Sequence, residues 1–179
     1  GKIKMAFDAI QLTQEDIAYV EKVTNASVAE HNNIDGFDTT FTGYVCQYAV
    51  YKYFNQEIPM HFGHKDKGCD IIINGKMCDV KGTRRQASIQ LNYEGNCPAY
   101  CLQKPQLHSI IPTSWNPCNY TVTIIGFLTK EEIIKYGTLY KKGDKRLKPN
   151  GSFYTMPQDT YVFEYKHCHP IALLHGGQH

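Results

Sequence analysis

The chain has 179 residues and a net charge of +2, and 42% of its residues are hydrophobic, which suits one domain with a real core and an ordinary globular composition. The near-neutral charge excludes nucleic-acid binding by bulk attraction, so any such binding must rest on local patches. No run approaches the ~20 apolar residues of a membrane span, and the opening Gly1-Lys2-Ile3-Lys4 has no leader-like apolar run behind it.

In chain order, Thr13 before Gln14-Glu15-Asp16 reads as a helix N-cap with acids in the first turn. Ile17, Val20, Val23 and Val28 continue an apolar stripe to about His31. Asn32 to Asp38 reads as a loop. A second helix is expected from about Thr42 to Asn55, apolar on most sides and therefore buried. Ile58 to Phe62 suits a short strand. Residues 63–68 suit a polar loop in which His64 and Lys65 either approach phosphate or are plain surface.

Gly68 to Arg85 organises the rest. Asn74-Gly75 between two apolar runs signals a type I′ hairpin, which needs φ > 0 at both positions. The register then sets Ile73 opposite Lys76, Ile72 opposite Met77, Ile71 opposite Cys78 and Asp70 opposite Asp79. Alternation puts Asp70, Ile72, Met77, Asp79 and Lys81 on one face, and Cys69, Ile71, Ile73, Cys78 and Val80 on the other. Carboxylates directly opposite one another have Cβ atoms roughly 4.5–5.5 Å apart and repel, an arrangement that a cation relieves. Mg²⁺ suits it, because this hard ion takes one or two protein carboxylates and keeps water and phosphate as its other ligands. Lys81 can hold a nucleophilic water or neutralise phosphate charge. Asp-x-Lys on a strand is also a common surface ion pair; the second acid and the run Ile71-Ile72-Ile73 favour a functional site.

Past the hairpin, Arg84 and Arg85 are either DNA backbone contacts or a solvated loop. Ala87 to Tyr93 alternates and reads as a strand. Residues 94–120, with Pro98, Pro105, Pro112 and Pro117, read as an irregular insertion of a length that is often functional, here a recognition loop carrying Trp115. That stretch also holds Cys97, Cys101, His108 and Cys118, whose types suit a structural Zn²⁺ although their spacing matches no usual finger or ribbon. The seven cysteines are scattered, and Cys46, Cys69 and Cys78 fall inside expected helix or strand, which favours buried thiols in a reducing compartment over a disulfide framework. Tyr120 to Phe127 is the most convincing buried strand. Thr129 to Glu132 is a capping box opening a helix from Glu131 to Tyr136, closed by Gly137. In residues 140–151, five of twelve are Lys or Arg, among them Lys141, Lys142, Lys145 and Arg146; this basic loop suits a DNA backbone or plain solvent. Thr160 to Tyr165 is a further strand, and the apolar patch from Ile171 to Leu174 packs on the core or on a second subunit.

The hairpin resembles the PD-(D/E)xK nuclease superfamily: Asp70 matches its first acid, and Asp79 and Lys81 match its acid-x-Lys pair. Cys69 stands where that motif often has Pro. The helix Gly43 to Phe54 resembles the superfamily's Gly-x-Glu-like helix, with Gln47 at the acid position and Glu30 as the rival acid. The resemblance covers about residues 42–136 in element order. The order helix, helix, hairpin, strand, insertion, strand, helix, strand indicates one α/β domain over residues 1–179 with a mixed central β-sheet. The resemblance implies that helices flank this sheet in a restriction-endonuclease-like core. It also implies a metal-dependent endonuclease that hydrolyses DNA phosphodiester bonds with Mg²⁺, for which Mn²⁺ substitutes. Asp70, Asp79 and the Val80 carbonyl would hold the metal, Lys81 would position or activate the water, Gln47 would ligate or orient water, and the rate would fall at low pH. A site-reading enzyme acting as a homodimer and a shape-reading junction or repair enzyme both stay open. So do a nucleic-acid-binding module without turnover and a small zinc-stabilised interaction protein. The look of the chain suits the cytoplasm of a bacterium or of a phage-infected cell.

Overall fold

The computed structural model describes residues 7–31, 36–62, 68–148 and 151–176. The hairpin forms as its turn residues require. Asn74 and Gly75 hold φ of 49° and 77°, and β2 (Ile71–Ile73) meets β3 (Lys76–Arg84) in the expected register, Ile71 with Cys78 and Ile73 with Lys76. After β4 (Glu94–Pro98), β5 (Leu107–Asn116) pairs in parallel with the other edge of β3. β5 then pairs antiparallel with β6 (Thr121–Ile124) and with the short β7 (Leu128–Thr129), and β1 (Asp8–Gln11) pairs with β6. The fold is therefore α/β, with a mixed central sheet in the order β1-β6-β5-β3-β2.

Helices α1 (Gln14–His31) and α2 (Gly36–Tyr53) stack on one face, α2 against the sheet and α1 against α2. Val45, Cys46, Ala49 and Val50 of α2 are fully buried against Val80, Ile111, Val122 and Ile124. On the other face, α3 (Lys130–Tyr136) and a second sheet cover part of the surface around Ile110 and Leu128. That sheet has the order β4-β11-β8, with β8 (Thr138–Tyr140) and β11 (Thr160–Glu164). β9 (Lys145–Leu147) and β10 (Phe153–Thr155) form a separate hairpin. Thr129 and Glu132 make the expected reciprocal cap on α3, and the Gly137 amide closes it on the Ile133 carbonyl. In the tail, Ile171 and Leu174 enter the α2-side core while Leu173 stays exposed at the start of α4 (Ala172–Gly176). Among the described residues, no helix is long and apolar enough to cross a membrane.

Four local expectations need correction. The second helix begins at Gly36 rather than Thr42. Ile58–Phe62 is not a strand. Ala87–Tyr93 is loop despite its alternation, and the ladder starts at Glu94: parallel neighbours need a long crossover, so the chain must leave the sheet after Arg85. The supposed irregular insertion contains β4 and the sheet's central strand, β5. Pro112 concealed that strand, since Pro lacks the donor a central position needs. It is tolerated because its carbonyl, and so its nitrogen, face the break between β6 and β7, where the Ile125 amide donates to that carbonyl at 3.0 Å.

A buried cluster ties α1 to α2. Asp16 accepts from the Thr13 amide at 2.8 Å, from the Tyr48 hydroxyl and from Lys52 Nζ at 2.9 Å. Burial works against its charge, but the Thr13 amide, Tyr48 and Lys52 together hold its pKa at about 2. A depressed carboxylate contributes stability above its unfolded pKa and loses it as pH falls through the folded one. The stability advantage of the native protein over Asp16→Asn should therefore shrink by about 2 kcal/mol between pH 5 and pH 2, read from urea midpoints.

Candidate functional site

Strand alternation on β3 divides two jobs. Cys78 and Val80 point into the α2-side core, with Gly82 against Cys46. Asp79, Lys81, Thr83 and Arg85 take the opposite face. The crossover from β3 to β5 lies over that face. Its single 3-10 turn, Ala99–Gln103, and the residue after it bring Cys101 and Lys104 down onto the acid and the lysine. Lys104 Nζ donates to Asp79 Oδ2 at 2.6 Å and to the Gly68 carbonyl at 2.5 Å. Lys81 Nζ donates to Cys101 Sγ at 3.3 Å.

Asp70 sits just before β2, where the ladder opens. Its amide donates to the Cys78 carbonyl at 3.0 Å, and its Oδ2 takes the Val80 amide at 2.8 Å. A strand residue's N–H and C=O point to the same edge, so the Val80 carbonyl lies on Asp70's side. Asp79 is 1% exposed. Its Oδ1 is shielded from solvent yet has no hydrogen-bond partner among the described residues, an expensive condition for a carboxylate oxygen. Two carboxylates, one with an orphaned oxygen, and a carbonyl on the same edge fit a hard divalent cation that keeps most of its ligands as water or phosphate.

The electrostatics are those of a crowded, dry site. Burial, and then the neighbouring Asp79, push the Asp70 carboxyl up to about 7, against the pull of the Val80 amide and the two lysines. Burial works to discharge Lys81, but Cys101, Asp79 and Asp70 outweigh it and raise its pKa, so the ammonium stays charged. The hydrogen bond from Cys97, with Lys81 and Lys104 nearby, lowers the Cys101 thiol to about 6 in spite of burial. Lys81 is thus a held cation, suited to fixing a water or an oxyanion rather than to taking a proton.

The other anticipated residues scatter. Gln47 is buried on α2, one turn before Tyr51, whose hydroxyl reaches the Asp70 carbonyl at 2.7 Å. Glu30 is exposed on α1, with α2 between that helix and the sheet, and does not join the acids. His64 lies outside the described residues. The four zinc candidates do not converge. Cys97 and Cys101 adjoin, but His108 and Cys118 sit at opposite ends of β5, about 30 Å of extended chain apart, and Cys118 is exposed. Among the described residues no three His, Cys, Asp or Glu side chains group as metal ligands, and all seven cysteines are free.

Arg84 points away from Arg85, into a recess with Phe41 and Trp115. Arg85 is pinned between the Tyr93 and Tyr165 rings, 4.9 and 5.1 Å from their centres. In the basic stretch, Lys141 and the Lys142 amide are tied to Asp159, Arg146 pairs with Glu94 at 3.2 Å, and Lys145 lies exposed on β9. Sequence reasoning missed Lys104 and the role of Cys101. No local signal marks either, because both depend on where the crossover lands. The sequence matches no protein-family profile, and no curated protein matches it either.

Proposed function

We propose that the protein is a metal-dependent endonuclease that hydrolyses DNA phosphodiester bonds, a member of the PD-(D/E)xK type. The observation carrying this reading is the pairing of Asp70 with the orphaned Asp79 Oδ1 at the open end of β2, with the charged Lys81 on the same face. Asp70, Asp79 and the Val80 carbonyl would hold Mg²⁺ or Mn²⁺. Bound there, the ion supplies charge that polarises the phosphoryl oxygen and offsets the leaving oxyanion. Lys81 fixes the attacking water and adds positive charge beside the phosphate. Cys101 holds the Lys81 ammonium in place at 3.3 Å. The crossover shields the site, so these charges act in a low dielectric. A palindromic target would call for a two-fold dimer, and sedimentation on and off DNA would detect one.

The test is cleavage of supercoiled plasmid and of branched DNA with Mg²⁺ or Mn²⁺. Cutting that needs the metal and is lost in Lys81→Ala supports the reading. Metal binding without cutting favours a second one, a binding module without turnover. That alternative draws support from Lys104, which already neutralises Asp79.

Asp70 must lose its proton to ligate. Its carboxyl titrates near 7, so Mg²⁺ affinity should rise with pH between 6 and 8 and level off above. Calorimetric titration across that range checks it, and a flat affinity would remove Asp70 from the ligand set. Lys104 gives a second expectation. Lys104→Met leaves Asp79 buried without its cation and should cost about 2–3 kcal/mol in EDTA. Millimolar Mg²⁺ should recover part of that loss, read as a rise in melting temperature larger than the native protein shows.

A further inference from the structure

We propose that the half of the central sheet left uncovered among the described residues seats an extended single strand of nucleic acid, held by a backbone phosphate on Arg85. The inference rests on the nucleic-acid reading above and names the substrate form and its route.

The register aligns Thr83 of β3 with Ser114 of β5, Thr123 of β6 and Ala9 of β1, all on the face that carries Asp79 and Lys81. The second sheet and α3 cover only the end of that face near Ile110, Ile125 and Leu128. The other end is a cleft of about 500 Å³ lined by Ser114, Asn116, Thr121 and Thr123 and bordered by residues 85–89. This face is recessed, presents hydroxyls and amides, and among the described residues has no carboxylate in its lining.

Arg85 joins that cleft to a second, of about 550 Å³, lined by Asn92, Asn96 and Arg146. Among the described residues the one acid in its lining, Glu94, is engaged by Arg146 at 3.2 Å. Arg85 is preorganised. Its Nη2 donates to the Glu94 carbonyl at 2.8 Å and its plane is held by two tyrosine rings, while Nη1 is shielded and without a partner among the described residues. A guanidinium held in plane between two clefts and flanked by Ser, Thr and Asn offers the donor types that phosphate oxygens accept from.

The recesses on either side of Arg85 select the form of the ligand. An anion reaches the guanidinium through one of the two clefts that Arg85 lines. A phosphate on a closed duplex, set between grooves ~6 and ~12 Å wide, sits on a broad convex surface that cannot follow it in; a flexible strand can. Lys81 of β3 lies four residues before Arg85, which directly follows the strand and whose amide still donates to the Trp115 carbonyl of β5 at 2.9 Å, so a nucleic-acid strand seated at Arg85 leads toward the acids.

The test measures binding of a fluorescein-labelled single-stranded oligonucleotide, and of the matching duplex, in EDTA so that nothing is cut. The native protein should prefer the single strand. Asn96→Asp and Thr123→Glu, both at solvent-facing positions that leave folding intact, should each weaken binding about tenfold or more. Arg85→Gln, with its melting temperature checked, should lower the salt-dependence slope by about one. Lys22→Gln, exposed on α1 across the sheet from the cleft, should stay within about twofold of native. Native-like binding by both Asn96→Asp and Thr123→Glu, or a preference for duplex, overturns the proposal. Groove-dependent binding without metal-dependent cutting keeps it and sinks the nuclease reading; cutting that ignores the groove variants does the reverse.

Discussion

Lys81→Ala is expected to lower metal-dependent cleavage by about 10²–10⁴-fold, the range for removing a group that positions a reacting water or offsets its charge. The fold should survive. Lys81 is half-buried and its ammonium contacts a thiolate-forming cysteine rather than a packed apolar partner. The loss should fall on kcat with little change in the affinity for DNA, because the charge matters most where negative charge develops. Lys81→Arg should not restore the rate, since a planar guanidinium cannot replace a compact ammonium beside Cys101. Cys101→Ser separates the partners: it keeps Lys81 but weakens its tether, so an intermediate loss is expected. If Lys81→Ala cuts at the native rate, Lys81 does not position the water and loses its place in the proposed site; if neither protein binds or cuts any substrate, the hairpin acids are structural and the nuclease proposal fails.

Gly126→Ala is expected to destabilise the protein by on the order of 4–5 kcal/mol, at the extreme of single substitutions. Gly126 has φ +147°, a region that residues with a side chain rarely adopt, and a Cβ built there would lie 2.1 Å from the His169 carbonyl oxygen and 3.1 Å from Cys168 Cβ. The strain and the overlap add. The segment cannot simply step aside. Phe127 and His169 exchange backbone hydrogen bonds of 3.0 and 2.9 Å, and His169 Nε2 pairs with Glu132 Oε2 at 2.5 Å. Displacing it would draw Ile171 and Leu174 out of the core. Urea denaturation reads the loss directly. A penalty below 1 kcal/mol would mean that the tail docks loosely and adds little to the fold.

Residues near in sequence carried the local structure. Asn74 and Gly75 specify a two-residue turn whose geometry fixes the register, so Asp70, Asp79 and Lys81 could be brought together on paper before any contact was known. The N-cap at Thr13 and the capping box at Thr129 were equally legible, because each closes its hydrogen bonds within four residues; the return bond from the Thr13 amide to Asp16 came only with the structure. Ala87–Tyr93 shows the limit of such reading: a period of two marks an exposed crossover as readily as a strand. Pro112 shows the converse, a residue that argues against a central strand until its nitrogen is seen to face a gap between two partners.

The sequence by itself therefore determined the hairpin, the helix caps and the α/β class, all products of short-range hydrogen bonding and periodicity. Only the tertiary structure decided what surrounds the hairpin. The parallel step from β3 to β5 obliges a crossover, and that crossover sets Lys104 on Asp79 across 25 residues and Cys101 on Lys81 across 20. Burial under it raises the Asp70 carboxyl and keeps Lys81 charged. Those energies arise from groups distant in the chain held in a low dielectric, and no local pattern of residue types encodes them.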